Sequence, residues 1–245
     1  MSWHEEDQFW ISMRDKLFSS DSWEGAVQDI SAIEKLTGIN APAQVLDMPC
    51  GPGRHALELA SRGYPVTGVD RTKHYLDEAK YKAAEENLEI EWVHDDMRDF
   101  HRLNYFDMVI NLYTSFGYFE DPAEDMTAAQ NFHLSLKPGG KLIMEMMGKE
   151  VLARIFSPRD WYEEEGVVYL EEREVTRDWT WVENRWVAIK DNQRFDYKFS
   201  HRVYSGQELK DLLLSVGFDR VLLYGGLDGQ PYDNEAIRLV VVAVK

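Results

Sequence analysis

Two helical periods open the chain, a βα rhythm follows, and a stretch of strict alternation interrupts that rhythm before it resumes. At 9–18, Phe9, Met13, Lys16 and Leu17 recur at roughly helical spacing. At 24–36, Val27, Ile30, Ile33 and Leu36 share one face, and Gly38 is a plausible stop. A short apolar strand begins at Val45, a helix is predicted over 54–62, and a second strand closes on Asp70. Strong helix formers fill 76–87. Asp121 before Pro122 reads as an N-cap with proline at the first helical position, starting a helix over 121–136. From 167 the period becomes two. Residues 167–176, 179–190 and 194–205 alternate apolar and polar, and 191–193 reads as a hairpin turn. One helix and two strands, at 220–224 and 236–244, complete the chain, with 225–235 as a loop.

This pattern predicts an α/β fold: a doubly wound, mostly parallel seven-stranded sheet with an N-terminal helical segment and an inserted antiparallel β-sheet. It divides the chain into an N-terminal helical cap (1–42), a cofactor core (43–149), an inserted sheet on the acceptor or oligomer side (150–204), and a closing helix and strands (205–245).

Composition narrows the function more than the fold. The chain has 245 residues, enough for one α/β domain with an insertion, and 44% of them are hydrophobic, which supports a packed core. The single cysteine, Cys50, excludes an intramolecular disulfide framework and fits a reducing, cytoplasmic setting. The acidic N-terminus has no apolar segment of a signal peptide, and no apolar run is long enough to span a membrane. A net charge of -17 repels phosphate backbones, so nucleic acid is not the expected partner. The same field favours a cationic or neutral small-molecule acceptor. A monomer or a homodimer is expected.

Residues 45–53, VLDMPCGPG, carry the chemistry. A strand runs into a Gly- and Pro-rich turn and a helix opens at once. Two glycines admit a ligand close to the backbone, and the helix N-terminus offers free N–H groups. Asp70 ends the next strand, where a carboxylate can accept hydrogen bonds from ribose hydroxyls. We expect Asp70 at the surface tip of that strand. Asp47 would repel a pyrophosphate but suits a cofactor that carries an ammonium group.

These residues resemble the first motif of the class I S-adenosylmethionine-dependent methyltransferases, similar to D-x-G-x-G-x-G. Asp47, Cys50, Gly51 and Gly53 match it, and Pro49 stands where the first family glycine usually lies. Residues 90–100 look like the family's third strand and the acidic residue that binds the adenine amino group. Asp96, followed by Met97, takes that place, with Asp95 the alternative by one register. Residues 106–121 look like the fourth strand and the loop over the methyl donor, 136–146 like the turn and fifth strand, and 206–218 like the helix before the last β pair.

The resemblance implies methyl transfer from S-adenosylmethionine to a small molecule, with an amine as a candidate acceptor. It implies that Asp47, Met48, Cys50, Gly51, Gly53, Asp70, Arg71, Asp96, Met97 and Asn111 hold the cofactor, and that no metal is needed. Tyr113 and His201 are the candidate catalytic groups. The alternatives are a non-catalytic, cofactor-binding partner subunit and a nucleotide-cofactor oxidoreductase.

The tryptophans are segregated. Trp3, Trp10 and Trp23 lie in the N-terminal segment and Trp161, Trp179, Trp181 and Trp186 in the insertion, while the core has Trp92 alone. They build two small cores or line a pocket between those segments. Trp179 and Trp181, two residues apart, are expected to share the inward sheet face, with Trp186 on the other.

Overall fold

The computed structural model describes residues 2–164, 166–191 and 193–245. After a 3-10 turn at Trp3–Glu5, helices α1 (Asp7–Leu17) and α2 (Ser20–Thr37) precede the sheet. Gly38, in the left-handed region at φ 69°, terminates α2. Then follow β1 (Val45–Asp47), α3 (Arg54–Ser61), β2 (Val66–Asp70), α4 (Lys73–Glu85), β3 (Ile90–His94), β4 (Phe106–Asn111), α5 (Pro122–Ser135) and β5 (Leu136–Met146). The Asp121 carboxylate caps α5 by accepting the Ala123 amide at 2.9 Å.

The seven-stranded sheet has the order β10-β11-β5-β4-β1-β2-β3, where β10 is Arg220–Tyr224 and β11 is Leu239–Val244. β1 pairs in parallel with both β2 and β4, and β11 runs antiparallel to β5 and β10. This is the doubly wound, mostly parallel sheet that the pattern predicts. Chain direction reverses its winding at the β1/β4 boundary, and ligands of such sheets bind outside the strand ends there. Two apolar layers, one holding Phe106, Phe116 and Phe132 and the other Ile30, Ile33 and Leu59, cover the two faces.

The insertion is an antiparallel sheet of four strands: β6 (Arg159–Glu164), β7 (Val167–Thr176), β8 (Trp181–Lys190) and β9 (Gln193–Arg202). Two of its elements escaped the sequence pattern. α6 (Lys149–Ile155) is short, and β6 is exposed throughout, so neither leaves a periodic signal. The β8–β9 pairing runs to Lys190 opposite Gln193; the centre of the expected turn, Asn192, lies outside the described residues. α7 (Gly206–Ser215) then returns the chain to the core, started by a capping box between Ser205 and Glu208.

The tryptophan faces differ from expectation. Trp179 is not in a strand: it sits in the β7–β8 turn at φ 65°. Trp181 is buried beneath the Arg177 and Arg202 guanidiniums on the sheet face away from α1. Alternation then turns Trp186 toward α1. The turn consumes the residues whose spacing suggested a strand, and the inward assignment moves with it.

Candidate functional site

A cavity of about 200 Å³ opens at the C-terminal ends of β1, β2 and β4. Its floor is the glycine turn. Asp47, Met48, Cys50, Gly51, Asp70, Arg71, Asp96, Met97 and Tyr113 all reach its wall, as does Asp95. Gly53, Asn111 and His201 do not.

Gly53 serves packing: at φ 91°, a Cβ there would stand 2.8 Å from the Trp92 ring. Gly51 serves the cavity: a Cβ would project 2.9 Å from the Phe18 ring, into the space between loop and roof. Asn111 lies behind the loop, fully buried, and donates to the Met48 carbonyl at 3.0 Å. His201 stands on β9 opposite Val182 in the inserted sheet, where burial lowers its pKa to about 4.

The three carboxylates differ in their commitments. Asp47 is buried, and its Oδ2 has no hydrogen-bond partner. Burial pushes its pKa up to about 8, against the attraction of Arg54 and with the help of Asp70. Asp70 is buried rather than at the surface tip. Its Oδ2 accepts the Gly51 amide at 2.8 Å and its Oδ1 the Thr72 amide at 2.7 Å. The Thr72 hydroxyl is a third partner, which leaves one of about four lone-pair positions for a ligand. Asp96 is held by Arg98, whose Nε and Nη2 donate at 3.0 and 2.9 Å. Burial raises its pKa, but these bonds prevail and hold it below the usual range. The Cys50 thiol is kept protonated by burial and by the two nearby aspartates.

Sequence reading missed the roof. His4, Trp10, Leu17 and Phe18 from the N-terminal segment close the cavity from above. Arg71, in the cavity wall, also anchors this roof: it donates to the His4 and Glu5 carbonyls, both at 2.9 Å. The Tyr75 hydroxyl donates to the Trp10 carbonyl, and Arg14 pairs with Glu78 of α4 at 2.5 Å. On its other side the segment meets the inserted sheet. Trp3 donates to the Ser200 carbonyl at 2.8 Å and packs on Phe199. Trp3, Trp10 and Trp186 thus meet in one layer around Phe199, whereas Trp181 lies on the other face of the inserted sheet, Trp179 packs on Phe156, Trp23 lies beside Lys82 and Trp161 is exposed. The abundance of aromatics in the first residues was the available signal.

At the far end, beyond β4, the chain turns through Tyr113 and Thr114, both at φ 59°. Arg54 is buried with its guanidinium 3.7 Å above the Tyr113 ring. The Tyr113 hydroxyl donates to Asp29 of α2 at 3.0 Å, and His55 Nε2 lies 3.1 Å from the same oxygen. Burial lowers the His55 pKa and outweighs Asp29, so the ring is neutral at pH 7 and its N–H donates to Asp29. Burial and Asp29 push the Tyr113 phenol up to about 12, so it too is neutral. Asp29 carried no sequence signal: it is one acidic residue on the polar side of a helix.

Comparison with known proteins bears on this geometry. The methyltransferase domain family matches residues 45–140. A putative methyltransferase of Geobacillus sp. (strain WCH70) is 28% identical over 156 residues, covering 62% of this chain and 61% of that protein. Among solved structures, an S-adenosylmethionine-dependent methyltransferase from Clostridium acetobutylicum ATCC 824 superimposes with a TM-score of 0.79 at 16% identity, covering 97% of this chain and 98% of that one. CalS10 from Micromonospora echinaspora, an amino pentose methyltransferase solved with S-adenosylmethionine bound, gives 0.70 at 22% identity, with 96% of each chain covered. At these identities the likeness to solved structures is one of fold.

Proposed function

We propose that this chain, whose residues 45–140 are a methyltransferase domain of the class I S-adenosylmethionine-dependent type, methylates a small-molecule amine. The observation that carries the reading is the buried, unpartnered Asp47 Oδ2 beside Asp70 and Asp96 in one cavity. An ammonium, a ribose diol and an adenine amino group each seek a carboxylate, and the three lie at successive strand ends. The space a Cβ at Gly51 would fill gives the cofactor its passage. The residues present therefore fit S-adenosylmethionine. In this reading Asp47 takes the ammonium, Arg54 the carboxylate, Asp70 the ribose and Asp96 the adenine.

When bound, S-adenosylmethionine supplies a sulfonium methyl for in-line displacement. The chain's part is alignment and exclusion of water. Phe18, Trp10 and Tyr118 keep the cavity dry. Tyr113, with its proton committed to Asp29, presents oxygen lone pairs that orient an acceptor N–H. An acceptor drawn in as its ammonium would first lose a proton to solvent and attack as the neutral amine, and the methylated ammonium product would shed any remaining proton to solvent, so no group here needs to be a strong base. The acidity of the chain and the Asp29 carboxylate support a cationic or basic acceptor, as does the fold likeness to CalS10. We assign the inserted sheet and α1 to the acceptor side. The buried cysteine suits the reducing cytoplasm, and no helix among the described residues is long and apolar enough to cross a membrane.

Calorimetry with S-adenosylmethionine and S-adenosylhomocysteine tests the cofactor, with NAD as the competing ligand. Micromolar binding of the first two, about 8 kcal/mol, is expected. Binding of NAD alone would overturn the reading. Mass spectrometry of the reaction with a panel of amino sugars and small amines tests the acceptor; turnover of alcohols alone would overturn the amine.

A further inference from the structure

On the sheet face turned to α1, three aromatic rings surround one amino group, and that group is the chain's own: burial and the nearby Arg173 bring its pKa down to about 7, against the pull of Glu164, so at neutral pH a large share of it is the ammonium. Lys16 Nζ lies 3.8 Å from the centre of the Trp186 ring, 4.6 Å from that of Tyr169 and 5.2 Å from that of Tyr162. Glu171 pairs with the same ammonium and with Arg173. Strand register assembles the group: Tyr162 stands opposite Tyr169, and Glu171 opposite Trp186. Tyr169 and Glu171, two apart on β7, share a face. The Lys16 and Glu171 side chains are only 10% and 8% exposed. Aromatic faces with a carboxylate form the chemistry that holds organic ammonium groups. None of these five residues reaches the cofactor cavity, so holding the cofactor makes no use of them.

The neighbouring residues do reach it. Leu17 is in the cavity wall, and Phe18 lies over Gly51 and against Tyr75 at a centroid distance of 5.3 Å. One end of α1 thus carries both the cage's occupant and the roof over the glycine turn. Arg14 and Trp10 tie the helix to α4, while Lys16 ties it to the inserted sheet. A roof gripped from both sides opens only when one grip lets go.

We propose that Tyr162, Tyr169, Trp186 and Glu171 form an organic-cation site that Lys16 fills in cis, latching α1 over the cofactor cavity. Ligand in the cavity then leaves at a rate set by withdrawal of Lys16, and a small quaternary ammonium competes for the cage and speeds that withdrawal. The latch rests on the reading of the cavity as a cofactor site only through the ligand used to follow it.

The test loads the full chain with S-adenosylhomocysteine and follows its dissociation in a chase. Lys16→Ala and Trp186→Leu should each speed release by about tenfold, the scale of losing one well-held cation among aromatic rings. The double variant should be no faster than either single one, because the two residues act as a unit. Tetramethylammonium at millimolar concentration should speed release from the native chain and leave Trp186→Leu unchanged, with sodium chloride as the ionic-strength control. Amide exchange over residues 7–17, measured without S-adenosylhomocysteine, should quicken in both variants. Release and exchange both unchanged in folded Lys16→Ala, or single effects that simply add, would overturn the latch. Failure of the native chain to bind S-adenosylhomocysteine would count against the cofactor reading, and amide exchange would then decide the latch by itself.

Discussion

Asp70 accepts the Gly51 amide at 2.8 Å, so the carboxylate assigned to the ribose also shapes the turn that meets the rest of the cofactor. The end of β2 thereby fixes the loop after β1. Binding and folding share one side chain, and the two should respond together when it is changed.

Asp70→Ala leaves the Gly51 and Thr72 amides without their buried acceptor. Each such loss costs about 1–3 kcal/mol, so the folded state should weaken by about 2–4 kcal/mol in urea denaturation. S-adenosylhomocysteine affinity should fall with it. An unchanged midpoint would mean that the turn holds its shape without Asp70.

Asp47 makes cofactor binding pH-dependent. Its buried carboxyl holds its proton up to about 8, whereas in the unfolded chain it is ionised well below that. The unfolded state binds fewer protons between those limits, so its contribution to stability falls as pH rises through them. A bound ammonium reverses the preference and favours the carboxylate. Binding of S-adenosylmethionine at pH 7 should therefore release a proton, seen as a calorimetric enthalpy that varies with buffer. Affinity should rise with pH toward about 8 and fall beyond it, where the cofactor's own α-ammonium loses its proton. In Asp47→Asn the buffer dependence should vanish; its persistence would place the titrating group elsewhere.

The two glycines of the turn should fail in different ways. Both have positive φ. Gly53→Ala drives a methyl against Trp92 and Ala79 inside the packed layer, which should cost about 1–3 kcal/mol of stability. Gly51→Ala meets Phe18, a roof residue that can move aside, so cofactor affinity should suffer more than stability. Paired thermal melts and calorimetry separate the cases. Equal effects of the two substitutions on both quantities would contradict the division.

The parallel core was legible because its signals are local. Apolar strands, a glycine turn and strand-end carboxylates are each written in a few consecutive residues. Asp47, Asp70 and Asp96 could be placed at one cavity because the topology of such a sheet brings its strand ends together. The roof was not legible, since nothing near Phe18 says that it will lie on Gly51. Arg71 does reach the cavity wall, but its hold on the roof was not legible, because its partners, the His4 and Glu5 carbonyls, are backbone atoms distant in sequence. The edge strand at Arg159–Glu164 carries charges on both faces, which protects an edge from mispairing and erases its periodicity. Asp29 became visible only when α2 packed beside α3.

Tyr113 and Thr114 supply the last prediction. Two consecutive non-glycine residues at φ 59°, one of them β-branched, store strain of about 1–3 kcal/mol each. Glu145 of β5 holds them there: its Oε2 accepts the Tyr113 amide at 2.7 Å and its backbone carbonyl the Thr114 amide at 3.0 Å. Arg238 pairs with Glu145 and donates to the Thr114 hydroxyl at 3.0 Å. Glu145→Gln removes the charge from a nearly buried pair and leaves Arg238 poorly matched, so stability should drop by about 2–3 kcal/mol. Asparagine tolerates the left-handed region better than threonine, and its side-chain oxygen can replace the Thr114 hydroxyl as acceptor for Arg238 and for the Met147 amide, each now at 3.0 Å; with those bonds kept, adding Thr114→Asn to that variant should restore about 1 kcal/mol. Urea denaturation of the two variants and the native chain measures both effects. Full stability in Glu145→Gln would mean that the turn needs no clamp. Loss without recovery in the double variant would mean that strain at Thr114 is not what Glu145 restrains. In the expected case, the ring beneath Arg54 and beside Asp29 owes its aim to a carboxylate on the neighbouring strand.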